Sequence, residues 1–153
     1  MDNKLSDLTV KEARSGLQTS RFSVRELTAA CLERIKKTDG SLHAFLTVDS
    51  AGALRSAAEK DKELQGRQAD LFSRCPLFGI PLALKDLFTT EDLRTTAGSK
   101  IIEDYQPPFD ATVVRKLKDA GAIIIGKTNE DAWGHGSSGE NSDYFPTKNP
   151  YDL

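Results

Sequence analysis

Apolar positions recur with helical spacing in the first part of the chain. In "LTVKEARSGL", Thr9 and Glu12 stand three residues apart ahead of an apolar pattern, which is the spacing of a capping box. In "SVRELTAACLERIKK", Ser23 and Glu26 repeat that signal. A third stretch, "AGALRSAAEKDKELQG", is rich in alanine and charge and ends in Gly66, an expected helix C-cap. Residues 1–70 are therefore predicted to form a helical N-terminal segment.

From Leu77 onward the pattern changes to short apolar runs separated by one amphipathic stretch. "GIPLALKD" (79–86) predicts a strand, after a loop expected over residues 67–76. "PPFDATVVRKLKDAGAIIIGKTNE" (107–130) predicts a turn, a helix that ends at Gly121, and a buried strand. Strands that alternate with helices indicate an α/β fold. We expect N-terminal helices followed by a mixed, mainly parallel sheet flanked by helices, with residues 71–153 starting the α/β core of a single domain.

Composition narrows the classes of function. The chain has 153 residues, and its 38% of hydrophobic residues is enough for a packed core. A formal net charge of −2 gives no broad electrostatic reason to bind nucleic acid or an anionic membrane. The sequence has no apolar run of the roughly 20 residues that cross a bilayer, and no secretory signal. The two cysteines and two histidines lie too far apart for a zinc site, so we expect no metal. Two cysteines are also too few for a disulfide scaffold, so we expect a cytoplasmic protein.

Two motifs imitate known sites without their structural context. Residues 121–128, "GAIIIGKT", match the phosphate-loop pattern, but a helix precedes the first glycine and the central residues predict a buried strand. Lys127 is therefore interpreted as a lysine at a strand end. "GHGSSG" is not a nucleophile elbow. A pair of His135 and Ser137 stays open as an alternative, but a glycine-rich binding loop is favoured.

The ordered motifs "GIPLALKD", "TTAGSKII" and the long stretch from Pro107 to Leu153 resemble the N-terminal third of the amidase-signature family. The tail "GENSDYFPTKNP" is most similar to the family's glutamyl-tRNA(Gln) amidotransferase A-subunit branch. This resemblance implies hydrolysis of amides by a Ser–cis-Ser–Lys triad through an acyl-enzyme. The triad lysine corresponds to Lys85. The resemblance assigns Gly136, Ser137 and Ser138 to a segment beside the substrate.

The resemblance assigns neither triad serine to a residue of this sequence, because both lie further on in the family. The chain by itself is therefore expected to be inactive. The family's usual "MDEFAMGSS" stands here as "EDAWGHGSS" (130–138), where Trp133 and His135 replace more common residues and alter the expected shape of the substrate channel.

A catalytic role for Lys85 requires that its side chain lose its charge. A serine hydroxyl attacks an amide only when a base takes its proton, and a lysine can act as that base only when neutral. Burial favours the neutral form of a lysine. We therefore expect the apolar strand to deliver Lys85 into a site stripped of water. The alternative interpretation is a solvated lysine at a sheet edge, which is the usual environment of this residue type.

The resemblance also implies a function for the parent protein. Glutamine would be hydrolysed to glutamate and ammonia, which amidotransferase subunits B and C would use to convert Glu-tRNA(Gln) to Gln-tRNA(Gln). Contact with tRNA would run chiefly through the partner, where ATP and Mg would also bind, with no cofactor in this chain and no membrane contact. Two alternatives stay open: a general amidase for small amides, and a truncated, non-catalytic docking module.

Overall fold

The computed structural model describes residues 5–65 and 68–152. The chain divides into two compact units. The first unit comprises Met1–Ile35, Ser50–Leu82 and Lys116–Ile125. The second unit comprises Lys36–Asp49, Ala83–Arg115 and Gly126–Leu153. The expected α/β class is confirmed, since the described residues form α-helices and one sheet.

The predicted helices and strands follow one another in the predicted order, and one further helix lies within the loop expected over residues 67–76. The α-helices are α1 (Val10–Gln18), α2 (Val24–Leu42), α3 (Ser50–Leu64), α4 (Gln68–Arg74) and α5 (Thr112–Asp119). The strands are β1 (Phe45–Val48), β2 (Pro81–Lys85) and β3 (Ile123–Thr128). Short 3₁₀ helices cover Leu5–Asp7, Lys100–Ile102 and Ala132–Gly134.

Both predicted capping boxes are present. At the start of α1, the Glu12 backbone N–H donates to the Thr9 hydroxyl, and the Thr9 N–H donates to the Glu12 carboxylate at 2.8 Å. At the start of α2, the Ser23 N–H donates to Glu26 at 2.7 Å and the Glu26 N–H donates to the Ser23 hydroxyl at 3.1 Å. Each box satisfies backbone donors that a helix start leaves free, so these two helix starts are fixed locally.

The first unit has an apolar core. Its buried apolar side chains come from α1 to α4, β3 and the turns directly before β2 and β3, and the Phe72 and Phe78 rings meet edge to face at 5.5 Å. The loop expected over residues 67–76 is wrong in part, because Gln68–Arg74 is helical and places Phe72 in this core. Gly66, the expected C-cap of α3, lies outside the described residues.

Gly121 ends α5 as predicted and is a position that requires glycine. Its φ is +91°, and its N–H donates to the Lys118 carbonyl. A Cβ there would lie 2.8 Å from the Phe78 Cα, which leaves no room for a side chain. The same turn leads directly into β3, so the "GAIIIGKT" motif covers the end of a helix and a strand. A phosphate loop would instead lie between a strand and a helix, which confirms that this motif is not one.

The sheet has the strand order β1–β3–β2. β1 runs antiparallel to β3, with Val48 opposite Gly126, while backbone hydrogen bonds from Ile123 to Ile80 and from Asp86 to Thr128 align β2 with β3 in the same direction. The sheet is therefore mixed. The parallel pair brings the carboxyl ends of β2 and β3 to the same edge, which is where α/β proteins carry their sites.

The second unit has an unusually polar interior. Among the described residues, every buried polar or charged side chain except Thr28 belongs to this unit. They are Asp86, Thr90, Thr95, Thr96, Ser99, Lys127, Glu130 and Asp131. Buried polar groups cost free energy unless they are paired, so this unit depends on the hydrogen bonds and ion pairs described next.

Candidate functional site

Lys85 is the last residue of β2, and its side chain lies at the strand's carboxyl end. Its Nζ lies 3.4 Å from Glu130 Oε2, while 46% of the Lys85 side chain remains exposed. The expectation of a lysine stripped of water is therefore wrong for this chain. The reason is strand alternation: Leu84 and Asp86 are buried on either side of Lys85 in the sequence, and Lys85 between them is exposed.

The fully buried lysine is instead Lys127, near the end of β3. Its Nζ donates to the Phe88 carbonyl at 2.9 Å and to the Thr95 hydroxyl at 2.6 Å, and lies 3.3 Å from Asp86 Oδ1. These partners match the three donors of an ammonium group. Burial lowers the pKa of Lys127, an effect that the Asp86 carboxylate opposes. Sequence interpretation placed Lys127 correctly at a strand end but missed its burial.

Asp86 completes this pair from the turn after β2. Its Oδ2 accepts hydrogen bonds from the Thr96 N–H at 2.8 Å and the Thr96 hydroxyl at 2.6 Å. The "TTAGS" threonines thus do more than order their own loop, since Thr95 and Thr96 hold the two halves of a buried ion pair. This arrangement fixes the backbone directly beside Lys85.

Glu130, two residues after β3, is the least satisfied group of the site. Its side chain is 1% exposed, and neither carboxylate oxygen accepts a hydrogen bond from the described residues. Burial raises the pKa of Glu130 and nearby Asp86 raises it further, while Lys85 and, more weakly, Lys127 lower it. The sequence analysis did not single out Glu130. The available signal was its position just past the strand adjacent to the one that carries Lys85.

Asp131 holds the loop that contains the predicted substrate-side residues. Its carboxylate accepts backbone hydrogen bonds from Asn141 at 2.7 Å and Gly139 at 3.1 Å, and these bonds lower the pKa of Asp131. A Cβ on Gly136 would overlap the same carboxylate, so the loop closes tightly around it. Sequence reasoning missed this residue as well.

Gly136, Ser137 and Ser138 are exposed on that loop. Among the described residues, Lys85 makes its ion pair with Glu130 and no hydrogen bond to either serine. The structure therefore does not join Lys85 and these serines into one hydrogen-bonded group. Their assignment to the substrate side stays a prediction.

Gly134 is the loop residue that reaches Lys85. A Cβ at Gly134 would lie 3.8 Å from Glu130 Oε2 and 3.9 Å from Lys85 Nζ. With a φ of +71°, Gly134 lets the backbone pass close beside the ion pair. The site is thus an ammonium and a carboxylate at a strand end, bordered by a glycine turn.

The described residues contain no group of three or more His, Cys, Asp and Glu side chains that could hold a metal ion. None of the helices in the described ranges is both long and apolar enough to span a bilayer.

The fold and the lysine at the end of β2 define an α/β protein with its charged groups at the carboxyl ends of parallel strands. The family model described as Amidase matches residues 26–153. The chain belongs to the amidase family, which confirms the resemblance found in its motifs.

Curated relatives point to one branch of the family, the A subunit of glutamyl-tRNA(Gln) amidotransferase. The chain is 49% identical over 151 residues to this protein from Desulforapulum autotrophicum, covering 98% of this chain and 30% of that protein. It is 47% identical over 152 residues to the corresponding protein of Corynebacterium glutamicum strain R, covering 99% of this chain and 30% of that protein. The chain spans about 30% of the length of these relatives.

Solved structures with the same fold include two kinds of amidase-family protein. The glutamyl-tRNA(Gln) amidotransferase A subunit of Thermotoga maritima matches with a TM-score of 0.73 and 34% identity, covering 100% of this chain and 29% of that one. A peptide amidase from Stenotrophomonas maltophilia matches with a TM-score of 0.81 and 34% identity, covering 95% of this chain and 30% of the peptide amidase chain.

Proposed function

We propose that this chain supplies the lysine-bearing part of an amide-hydrolysing site, and that the reaction is hydrolysis of glutamine to glutamate and ammonia. Membership of the amidase family supports amide hydrolysis. Identities of 47–49% to the A subunits of two glutamyl-tRNA(Gln) amidotransferases support glutamine as the amide.

The observation that carries the proposal is the position of Lys85 Nζ. It lies at the end of β2, partly open to solvent and 3.4 Å from a buried carboxylate. An amine in this position is accessible to a hydroxyl group that arrives from outside the described residues. In the proposed reaction, Lys85 takes the proton of the attacking serine and later returns it to the leaving ammonia.

The loop carrying Gly136, Ser137 and Ser138 is proposed to contact the substrate. Its backbone is held by Asp131, and its serine side chains are exposed, so they are accessible to an amide or a carboxylate. Because the resemblance assigns neither triad serine to this sequence, activity is expected only together with the polypeptide that carries them.

The partners follow from the same proposal. Amidotransferase subunits B and C would receive the ammonia, and the partner would hold ATP, Mg and most of the tRNA contact. The chain itself needs no cofactor for proton transfer between a hydroxyl and an amine. Such a complex would work in the cytoplasm.

A second candidate is hydrolysis of other amides without partners. The peptide amidase of Stenotrophomonas maltophilia superposes with a TM-score of 0.81, against 0.73 for the Thermotoga maritima protein. Both structures are 34% identical to this chain. The backbone of this chain is thus compatible with either kind of amidase, while the curated relatives favour the amidotransferase.

Ammonia release from glutamine tests the proposal, measured on the protein that carries these residues, with and without its partner subunits. Lys85→Met should lower the rate by about 100-fold or more, the usual effect of losing a general acid–base group. Lys100→Met, an exposed lysine of the same unit, should leave the rate unchanged. Hydrolysis of small amides without partners would favour the second candidate. An unchanged rate in Lys85→Met, or a protein that forms no acyl-enzyme, would contradict both.

A further inference from the structure

The turn that follows β2 begins with Lys85 and is closed by a backbone hydrogen bond. The Phe88 N–H donates to the Lys85 carbonyl at 3.1 Å, so Asp86 and Leu87 are the central residues of the turn. The Lys85 side chain is 46% exposed and lies 3.4 Å from Glu130 in an ion pair. Because about half of this side chain is in solvent, the position of its Nζ depends strongly on the backbone of the turn.

The buried ammonium of Lys127 binds this turn at two points. Its Nζ donates to the Phe88 carbonyl at 2.9 Å and lies 3.3 Å from Asp86 Oδ1, so it contacts both a central residue and the last residue of the turn. Its third partner is the Thr95 hydroxyl at 2.6 Å. The Lys127 side chain is 0% exposed, so water does not compete for these contacts as it does around a surface lysine.

The hydrogen bond to Phe88 is the contribution of Lys127 that packing cannot replace. Well-packed apolar residues of similar volume often stabilise a protein as well as a buried ion pair, because two charges lose their hydration on burial. An apolar side chain at position 127 could fill the same space, but it could not donate to the Phe88 carbonyl. The geometry therefore indicates a role for Lys127 that is separate from stability.

We propose that Lys127 is a positioning residue for Lys85, because its buried ammonium holds the turn from Lys85 to Phe88 and thereby the amine that the reaction uses. This inference rests on the proposed function. A displacement of about 1 Å at a reacting group can lower a rate by about 100-fold. Loss of Lys127 should therefore slow the chemical step and leave substrate binding nearly unchanged.

The first test measures the mobility of the turn in the 153-residue chain, without any substrate. Backbone ¹⁵N relaxation gives order parameters of the folded state, which report motion on the ps–ns timescale. The Lys85 and Phe88 amides should have order parameters of about 0.85 in the unmodified chain, and these should fall towards about 0.6 in Lys127→Met. Equal order parameters in the two chains would overturn the proposal.

Leu17→Ala is the matched control for lost stability. Leu17 is 1% exposed in α1 of the first unit, whereas Lys127 and the turn belong to the second unit. Its truncation leaves a cavity in a core and destabilises the chain. The order parameters of the turn should stay unchanged in this variant. A fall equal to that in Lys127→Met would show that the turn responds to any loss of stability and would overturn the proposal.

A double variant separates the charge of Lys127 from its hydrogen bond. Lys127→Met combined with Asp86→Asn leaves no unpaired buried charge, so it should be more stable than Lys127→Met and can replace that variant if the latter does not fold. It still lacks the donor to the Phe88 carbonyl, so the turn should stay mobile. A turn as rigid as in the unmodified chain would show that Lys127 only neutralises Asp86, which would overturn the proposal.

The second test measures ammonia release from glutamine by the protein that carries these residues, together with its partner subunits. In the double variant, kcat should fall by about 10- to 100-fold while KM stays the same, since the change misplaces a reacting group and removes no contact with the substrate. Leu17→Ala should retain the kcat of the unmodified protein. An unchanged kcat in the double variant would overturn the positioning role.

The order parameters need no amide substrate, so the two proposals can fail separately. A mobile turn in the Lys127 variants of a protein that hydrolyses no amide would support the hold of Lys127 on the turn and reject the function. Glutamine hydrolysis that is lost in Lys85→Met but unchanged in the Lys127 variants would support the function and reject the positioning role.

Discussion

The sharpest prediction concerns the buried pair of Lys127 and Asp86. Both side chains are 0% exposed, and the charged atoms lie 3.3 Å apart. At an effective dielectric constant of about 20, two unit charges at this distance attract by about 5 kcal/mol. Lys127→Met removes that attraction and leaves the Asp86 charge buried and unpaired. Breaking a buried pair from one side costs about 3–5 kcal/mol, a large part of the roughly 5–15 kcal/mol that stabilises a typical domain.

Urea unfolding followed by tryptophan fluorescence measures this loss, because Trp133, the chain's one tryptophan, belongs to the same unit. Lys116→Met, an exposed lysine on α5, is the matched control and should change the free energy of unfolding by less than about 0.5 kcal/mol. The double variant of Lys127→Met with Asp86→Asn should cost clearly less than the sum of its two single variants. Costs that add to within about 0.5 kcal/mol would show that the two charges do not interact and would refute the reasoning.

Three further predictions follow from the caps and carboxylates. Thr9→Ala should cost about 1 kcal/mol in urea unfolding by removing the capping box of α1, while a loss below about 0.3 kcal/mol would contradict that role. Hydrogen bonds from Asn141 and Gly139 lower the pKa of Asp131. The Asp131 carboxylate therefore stabilises the folded chain above the unfolded pKa of about 3.9, and this stabilisation is lost as pH falls through the folded pKa. The protection factor of the Gly139 amide, which compares its exchange rate with the intrinsic rate at the same pH, should therefore fall at low pH and in Asp131→Ala at neutral pH. Equal protection factors would contradict the loop's dependence on Asp131. Burial raises the pKa of Glu130. The contribution of Glu130 to the free energy of unfolding therefore falls as pH rises from the unfolded pKa of about 4.3 through the folded pKa. Glu130→Gln should remove that fall when the free energy of unfolding is measured as a function of pH. The same pH dependence in Glu130→Gln as in the unmodified chain would contradict this prediction.

The sequence was most informative where structure is local. The capping boxes at Thr9 and Ser23 act between residues three positions apart, so their spacing alone located two helix starts. Gly121 marked the end of α5 for the same reason. The loop expected over residues 67–76 was wrong because the helix there is stabilised by tertiary packing of Phe72, which no local signal reports.

The candidate site was predicted only in part. The strand pattern of "GIPLALKD" placed Lys85 correctly at a strand end, but the inference that an apolar strand would bury it ignored the alternation of side chains. Glu130 was missed because nothing in the local sequence distinguishes a solvated glutamate after a strand from one that is 1% exposed.

The sequence by itself determined the order of the helices and strands apart from α4, the family, and the lysine at the end of β2. Only the tertiary structure decided which lysine is buried and which carboxylate faces Lys85. The physical reason is that burial and ion pairing depend on groups far apart in the chain: Thr95, which holds Lys127, lies 32 residues before it. Helix caps and the alternation of side chains along a strand involve residues a few positions apart. The burial and the partners of a charged side chain instead depend on the segments that the fold packs against it.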